Sequence, residues 1–594
     1  MMNPKANLSR RQFIGIAGGI AGAAALANIP FDAPAQENKP KIDSNGFDIE
    51  NRHLDVLIIG GGMAGVFAAV KAHDAGANVL MVSKGRVGSS GLTPFAKGIF
   101  SYDKTNARMS IDEFVDTVTE SAIQTNNPVF TRQLAEHSYA RVQELKDWGF
   151  FDSPLYNHSF MKPLSERNIP IEERMMITHL LKQDGRVVGA SGFSLDLQKI
   201  VHYHAKTVVL CTGAGGFKPN GFPVCDLTHD GTIMAYKIGA KVTGKEWNDG
   251  HPGSAKNSGS SYDNWHGQIE EKPSITSARI NHHLGVDMNY QAYTQGAPVM
   301  MMPPRPKRPG EMVTQQVERQ NDVFPTGPFV PEAFKQSGPP PKPPEQGFFR
   351  GLVSSKGHSG PPGMGGEQVG GSSAGMAIHK SEGLVPINAQ GLSTIPGLYA
   401  AGDALGSYMS GGIYTQIGSS LAGSAVQGAI AGAAAANDSL GMASKLDVSE
   451  QYLALVNQQI LAPLKRERGY SPAWVTQVLQ GVMIPNFVLY IKKERMMQAA
   501  LAYVEELNEH HVPMLMADDL HALRLAHETE NMIITAEMKL KASIMRKESR
   551  CSHYRLDCPD IDYENWQAWI NISQDEKGNM VLEKQPFDSW PNFS

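Results

Sequence analysis

The chain has 594 residues, long enough for a large core and, by length alone, about three or four domains. A net charge of -5 gives no argument for nucleic acid or an anionic membrane surface as a partner. Four scattered cysteines exclude a disulfide framework, and neither they nor the 19 histidines show the spacing of a zinc site, an iron–sulfur cluster or a c-type haem. Cys551 and Cys558 can still pair in an oxidising compartment.

The N-terminus opens with Ser9-Arg10-Arg11-Gln12-Phe13-Ile14, which is similar to a twin-arginine export signal. Lys5, Arg10 and Arg11 supply positive charge, a Gly/Ala-rich stretch runs from Ile14 to Ile29, and Ala33-Pro34-Ala35 offers a cleavage site. Residues 1–35 therefore read as a leader and the expected compartment is the periplasm. The stretch is short and weakly apolar for a membrane anchor. The later Ala-rich run from Leu421 to Ala436 carries Ser and Gln residues that suit a packed interior helix better, so no transmembrane anchor is expected.

Asp55-Val56-Leu57-Ile58-Ile59, a helical stretch from Ala64 to Ala75, and Asn78-Val79-Leu80-Met81-Val82 form one βαβ unit. Its turn, Gly60-Gly61-Gly62-Met63-Ala64-Gly65, is a dinucleotide-binding fingerprint. Gly60 permits the tight turn, Gly62 lets backbone approach a pyrophosphate, and Gly65 lets the helix pack closely on the strand. The helix start at Met63 and Ala64 presents unpaired N–H groups to phosphate. An acidic residue usually ends the second strand to hold the ribose, and here that position is Ser83.

Residues 110–150 read as amphipathic helices, and 171–210 as short strands and hairpins with a turn at Asp184-Gly185. From Trp247 to Gln368 proline clusters dominate. Such composition commonly marks a disordered linker, but Trp265, Phe324, Phe329, Phe334, Phe348 and Phe349 favour a loop-rich capping insertion. Gly397-Leu398-Tyr399-Ala400-Ala401 restarts the α/β pattern, residues 450–545 are helical, and the tail beyond Pro559 reads as irregular. The expected fold is α/β: a Rossmann-like dinucleotide-binding domain (52–246 and 369–440), an inserted substrate or capping domain (247–368), and a C-terminal helical domain and tail (441–594).

The chain resembles the flavoprotein subunits of succinate dehydrogenase and fumarate reductase, and the related adenylylsulfate reductase α subunit. Ser83-Lys84 is similar to that family's Ser-Lys, and Ser89-Ser90-Gly91 and Ala96-Lys97-Gly98 resemble its second phosphate- and flavin-contacting loop. Thr207 to Gly216, with Thr212-Gly213, resembles its strand and turn against the adenosine half of FAD, and Asp230-Gly231 follows. Ile395 to Asp403 is close to the second FAD motif, and Ser419-Ser420-Leu421 matches the segment facing the flavin pyrimidine edge. The resemblance thus implies FAD held by Gly60, Gly62, Met63, Ala64, Gly65, Ser83, Lys84, Ser90, Gly91, Ala96, Gly98, Thr212, Gly213, Asp230, Gly402, Asp403, Ser419, Ser420 and Leu421. No histidine occurs between Lys84 and Phe100, where the family attaches FAD covalently, so non-covalent FAD is expected.

The stretch from Met545 to Pro559 resembles the family's C-terminal signature, which implies an iron–sulfur electron-transfer partner subunit. Within it Arg550, His553 and Arg555, together with His251 of His251-Pro252, are the candidate catalytic residues. Arg546, Glu548 and Asp557 can equally serve to pin a helix end. The family's proton-donating Arg-Gly-Glu-Gly-Gly element is missing, and Thr415 stands where a substrate-binding arginine is expected, which disfavours fumarate and succinate. Tyr414, Arg279, His282, His283, Arg350 and His358 are candidate replacements. The expected function is FAD-dependent reduction of an activated double bond in a small organic substrate. Adenylylsulfate-reductase-like sulfur chemistry and a non-catalytic electron-transfer flavoprotein are the alternatives.

Overall fold

A computed structural model describes residues 41–218, 226–248, 272–276, 381–413, 416, 418–442, 448–483, 488–489 and 491–590, together with the backbone at 253–254, 257–261 and 368–369. The continuous apolar run that ends strand β1 (Asp48–Ile59) is buried on both faces, as a central parallel strand must be. It pairs in parallel with β2 (Val79–Ser83) on one side. Strand β3 (Gly98–Phe100) lies apart, paired with Ser274–Thr276. Strand β4 (Ile171–Glu173) extends the sheet in parallel beyond β2.

Beyond β1 on the other side lie β7 (Lys199–Leu210), β6 (Arg186–Ser194) and β5 (Met175–Gln183) in antiparallel succession. The β5–β6 turn is Asp184-Gly185, with both residues at positive φ (50° and 77°), the conformation a two-residue hairpin demands. Strands β8 (Val242–Thr243) and β9 (Gly383–Leu384) pair with each other in a separate sheet. Strand β10 (Leu398–Ala400) returns to the main sheet and pairs in parallel with the last residues of β7. The chain ends of β1, β2, β7 and β10 therefore emerge at one edge, where ligands of open α/β sheets sit.

Helix α1 (Met63–Asp74) follows β1 directly and is buried along most of its length. Helices α2 (Ile111–Ser121) and α3 (Pro128–Asp147) are capped by Ser110 and Asn127, and α4 (Asn157–Glu166) and α5 (Asp230–Lys237) complete this part. The Ala-rich segment is helix α6 (Ser419–Leu440), packed inside the fold. Among the described residues no helix is long and apolar enough to cross a membrane. Helix α7 (Glu450–Lys465) packs Val456, Ile460 and Leu464 with Met176, Leu181 and Phe193 of β5 and β6, while α8 (Pro472–Met483), α9 (Glu494–Glu506) and α10 (Leu520–Met545) bury a further core around Leu479, Met497, Val504, Met532 and Ile533.

Two features differ from expectation. The tail is not irregular: β11 (Ala568–Gln574) and β12 (Met580–Pro586) form a hairpin, and β11 also pairs with β8. Trp569, Ile570 and Ile572 are buried there, so the strand is specified by apolar content on both faces rather than by alternation. Cys551 and Cys558 are unpaired; the Cys551 thiol donates instead to the Ala122 carbonyl at 3.3 Å. Most of the proline-rich insertion lies outside the described residues, but Gly253–Ser254 pairs with Gln368–Val369, so its two ends are held together.

Helix α6 crosses α1 with backbones nearly touching. A Cβ on Gly428 would fall 2.2 Å from the Ala64 carbonyl oxygen, and one on Gly432 the same distance from that of Ala68. Gly428→Ala or Gly432→Ala is expected to cost about 1–3 kcal/mol by overpacking, read from urea denaturation midpoints.

Candidate functional site

The sheet edge carries a cleft of about 880 Å³, open solvent included. Its lining brings together the turn from Gly60 to Ala64, Ser83-Lys84-Gly85, Ser90 to Thr93, Cys211 to Gly213, Asp226-Leu227, Asp230, and Ala401 to Asp403. Gly60, Gly62, Met63, Ala64, Ser83, Lys84, Ser90, Gly91, Thr212, Gly213, Asp230, Gly402 and Asp403 thus share one cleft, although they come from segments more than 300 residues apart. Gly65 stands behind it: its Cβ would lie 1.9 Å from the Gly60 carbonyl, the close helix–strand contact expected of the third glycine.

Each wall is fixed by specific bonds. The Gly60 N–H donates to Val82 at 2.8 Å and the Cys211 N–H to Ile59 at 2.8 Å, which set the turn against the two neighbouring strands. Thr93 Oγ1 accepts from the Met63 N–H at 3.2 Å, so the second loop touches the start of α1. Gln427 of α6 accepts from the Gly402 N–H at 3.1 Å and donates to Ser407 at 2.7 Å, holding the turn that carries Asp403. The Thr212 hydroxyl lines the cleft and is buried without a hydrogen-bond partner among the described residues. An orphaned hydroxyl beside a glycine cradle at a helix N-terminus is the donor set that a dinucleotide completes. These residues fit FAD.

Ala96, Gly98, Ser419, Ser420 and Leu421 do not line this cleft. Gly98 on β3 and Ser419, Ser420 and Leu421 on α6 belong to a neighbouring junction instead, where the Phe100 N–H donates to the Gly418 carbonyl at 3.0 Å and ties β3 to the start of α6. Gln416, just before this junction, has its side-chain amide buried with no partner for either atom among the described residues. His251, Thr415, Tyr414, Arg279, His282, His283, Arg350 and His358 lie outside the described residues.

Lys84 and Asp230 have a role that the sequence did not disclose. Lys84 Nζ lies 2.6 Å from Asp230 and 2.8 Å from Glu528 of α10, whose side chain is fully buried. Lys218 and Arg524 also reach Glu528, at 2.8 and 2.9 Å. Burial pushes the Glu528 carboxyl up, but the Lys84, Lys218 and Arg524 cations outweigh it and bring it to about 2. Asp230 further accepts from Asn531 at 2.9 Å.

The C-terminal signature forms a closed, buried ion-pair network. Glu548 takes Arg546 at 2.8 Å and Arg550 at 2.8 Å, and Arg546 reaches Glu246 at 2.9 Å. Arg550 also donates to the Ile123 carbonyl and to Gln567, and Arg555 binds Asp557, Glu494 and the carbonyls of Ser543, Ile544 and Arg546. His553 Nδ1 lies 2.8 Å from Lys492 Nζ, and its Nε2 lies 3.2 Å from the Arg546 carbonyl. Burial, reinforced by Lys492 and Arg546, holds the His553 imidazole well below its usual range. The candidates Arg550, His553 and Arg555 are therefore brought together with one another, outside the lining of the FAD cleft. Between them, Ser552 donates to the Gly412 carbonyl at 2.8 Å and ties the signature to the loop there.

Two measurements probe these networks. Glu548→Gln leaves Arg546 and Arg550 buried without their shared carboxylate and is expected to cost about 3–5 kcal/mol in urea denaturation. The folded Glu528 carboxyl titrates below the unfolded value of about 4.3, so its stabilisation is complete above that pH and is lost as pH falls towards 2. The loss amounts to about 3 kcal/mol, and Glu528→Gln is expected to abolish this part of the acid dependence.

A family model described as FAD-dependent oxidoreductase matches residues 55–218, and one described as fumarate reductase flavoprotein C-terminus matches residues 476–591. The A subunit of the fumarate reductase (CoM/CoB) of Methanothermobacter marburgensis is 25% identical, over 88% of this chain and 97% of that protein. The fumarate reductase flavoprotein subunit of Mycobacterium tuberculosis is 24% identical, over 77% and 80%. Among solved structures, the E. coli quinol fumarate reductase flavoprotein shares the fold at a TM-score of 0.68, with 19% identity over 92% of this chain and 98% of that one. Adenylylsulfate reductase from Archaeoglobus fulgidus shares it at 0.67, with 19% identity over 94% and 99%. With its glycine turn, its second FAD motif and its C-terminal signature in place, the chain is an FAD-dependent oxidoreductase similar to the flavoprotein subunits of fumarate reductase.

Proposed function

We propose that this flavoprotein is the catalytic subunit of an exported oxidoreductase that reduces an activated double bond in a small organic substrate. Its electrons come from an iron–sulfur partner subunit. The observation that carries the reading is the C-terminal signature, which matches the fumarate reductase flavoprotein C-terminus and is buried as one intact network beside Gly412. The alignment with the Methanothermobacter fumarate reductase chain along nearly its whole length adds support. FAD bound in the cleft supplies hydride transfer. The residues of this chain would bind and orient it: the glycine turn and the Ala64 N–H would meet the pyrophosphate, with the Met63 N–H taken by Thr93, and the Gln427-held turn would offer Asp403 to a ribityl hydroxyl.

The substrate is read as something other than fumarate or succinate, because Thr415 replaces the expected arginine and the Arg-Gly-Glu-Gly-Gly element is missing. His251 is the proposed proton donor. The leader at 1–35 is read as a twin-arginine signal that delivers folded, FAD-loaded protein to the periplasm. FAD is held non-covalently.

The deciding experiment is an anaerobic assay of the FAD-loaded protein with reduced viologen against fumarate, urocanate, other unsaturated acids, enones and adenylylsulfate. Fast turnover of one non-fumarate unsaturated compound is expected; fast turnover of fumarate, turnover of adenylylsulfate alone, or a reducible flavin with no turnover of any compound overturns the proposal. Acid precipitation is expected to leave the flavin in the supernatant. Replacing Arg10 and Arg11 with Lys is expected to keep the protein in the cytoplasm, as read by fractionation.

A further inference from the structure

We propose that helices α8 and α10 are part of the cofactor site: Glu528, Asn531 and Gln480 grip three of the cleft's walls, so that FAD retention and the docking of these helices form one coupled equilibrium. Glu528 and Asn531 are three residues apart on α10 and therefore lie on one face of it. Glu528 takes Lys84 at 2.8 Å, and Asn531 takes Asp230 at 2.9 Å; both captured residues line the FAD cleft. Lys84 and Asp230 are themselves joined at 2.6 Å, and Thr228 donates to Asp230 at 2.8 Å, so the contacts of α10 act on one connected unit.

The third grip falls on the segment that follows Thr212-Gly213. The Gln480 side chain of α8 donates to the carbonyls of Phe217 and Lys218 at 2.9 and 2.6 Å. The Phe217 ring is fully buried, and it belongs to the apolar core of the helices rather than to that of the sheet. The wall that carries the orphaned Thr212 hydroxyl is thus anchored in the helical bundle within six residues of that hydroxyl.

A ligand that bonds to these walls meets them in position only when the helices are docked, and it must then favour docking by the same factor by which docking favours it. Glu528 is a positioning residue in this scheme: it acts through Lys84 and does not line the cleft itself. Glu537, further along α10, provides the control, since it pairs with Lys541 and Asn508 within the helical segment.

The test uses the holoenzyme. FAD release after dilution is followed by recovery of free-flavin fluorescence, and hydrogen exchange of residues 472–483 and 520–545 is measured with and without saturating FAD. Glu528→Gln is expected to release FAD at least tenfold faster, Glu537→Gln at the wild-type rate, and added FAD is expected to slow exchange of both helices in the wild type. A folded Glu528→Gln protein that keeps FAD as long as the wild type overturns the proposal. So do wild-type helices whose exchange ignores FAD. Should Glu528→Gln fail to fold, Asn531→Leu removes only one neutral donor and is expected to speed release several-fold; no change there overturns it equally.

Discussion

Backbone-to-backbone contact at the start of helix α1 is the constraint on which the rest of this molecule depends. A Cβ on Gly60 would lie 2.1 Å from the Cys211 carbonyl, and one on Gly65 would lie 1.9 Å from Gly60. On the outer side Gly428 and Gly432 let α6 press against Ala64 and Ala68. Side chains are thus excluded from the places where β1, α1, β7 and α6 converge. That leaves peptide N–H groups as the nearest surface a phosphate can meet. The cleft is shallow in chemistry but rigid in position, since the elements that converge on it have buried cores.

Buried charge is handled by one device at three places, a carboxylate shared by several basic groups. Beside the sheet edge a single carboxylate, Glu528, serves three cations. Farther along, Glu382 takes the Lys245 and Lys539 cations and His229, whose imidazole is held at about 4 by burial, and Glu548 binds two arginines. Buried ion pairs of this kind contribute little net stability compared with apolar packing, but they penalise any arrangement in which a partner is lost. They specify a unique docking of the C-terminal third against the sheet.

The glycine turn, its flanking strand and helix, the interior helix at 419–440 and the Asp184-Gly185 hairpin are readable in the sequence, because each rests on local rules of period and turn chemistry. Lys84 and Asp230 stand out there as well, but not the fact that both answer to α10, since contacts spanning 444 and 301 residues leave no periodic trace. Glu528 is hidden for a related reason: within a long amphipathic helix a single carboxylate on the buried face looks like any exposed one until the partners are known. Thr93 has a weak signal, a hydroxyl before a proline in the loop already singled out. The β11 strand escapes because residues buried on both faces erase the alternation that marks a half-exposed strand.

Strand β7 carries two neighbours on one flank: β6 runs antiparallel along its first half and β10 parallel along its last residues. The second neighbour is nearly 190 residues downstream of the strand it completes. During synthesis the sheet edge therefore stays open until residue 400 has left the ribosome, and the wall at Gly402-Asp403 forms only then. Pairings of such sequence separation form slowly, because the chain between them must be gathered first. The nascent chain is thus unable to retain its prosthetic group for most of its translation, and cofactor insertion becomes a late step that waits for the segment through Asp403.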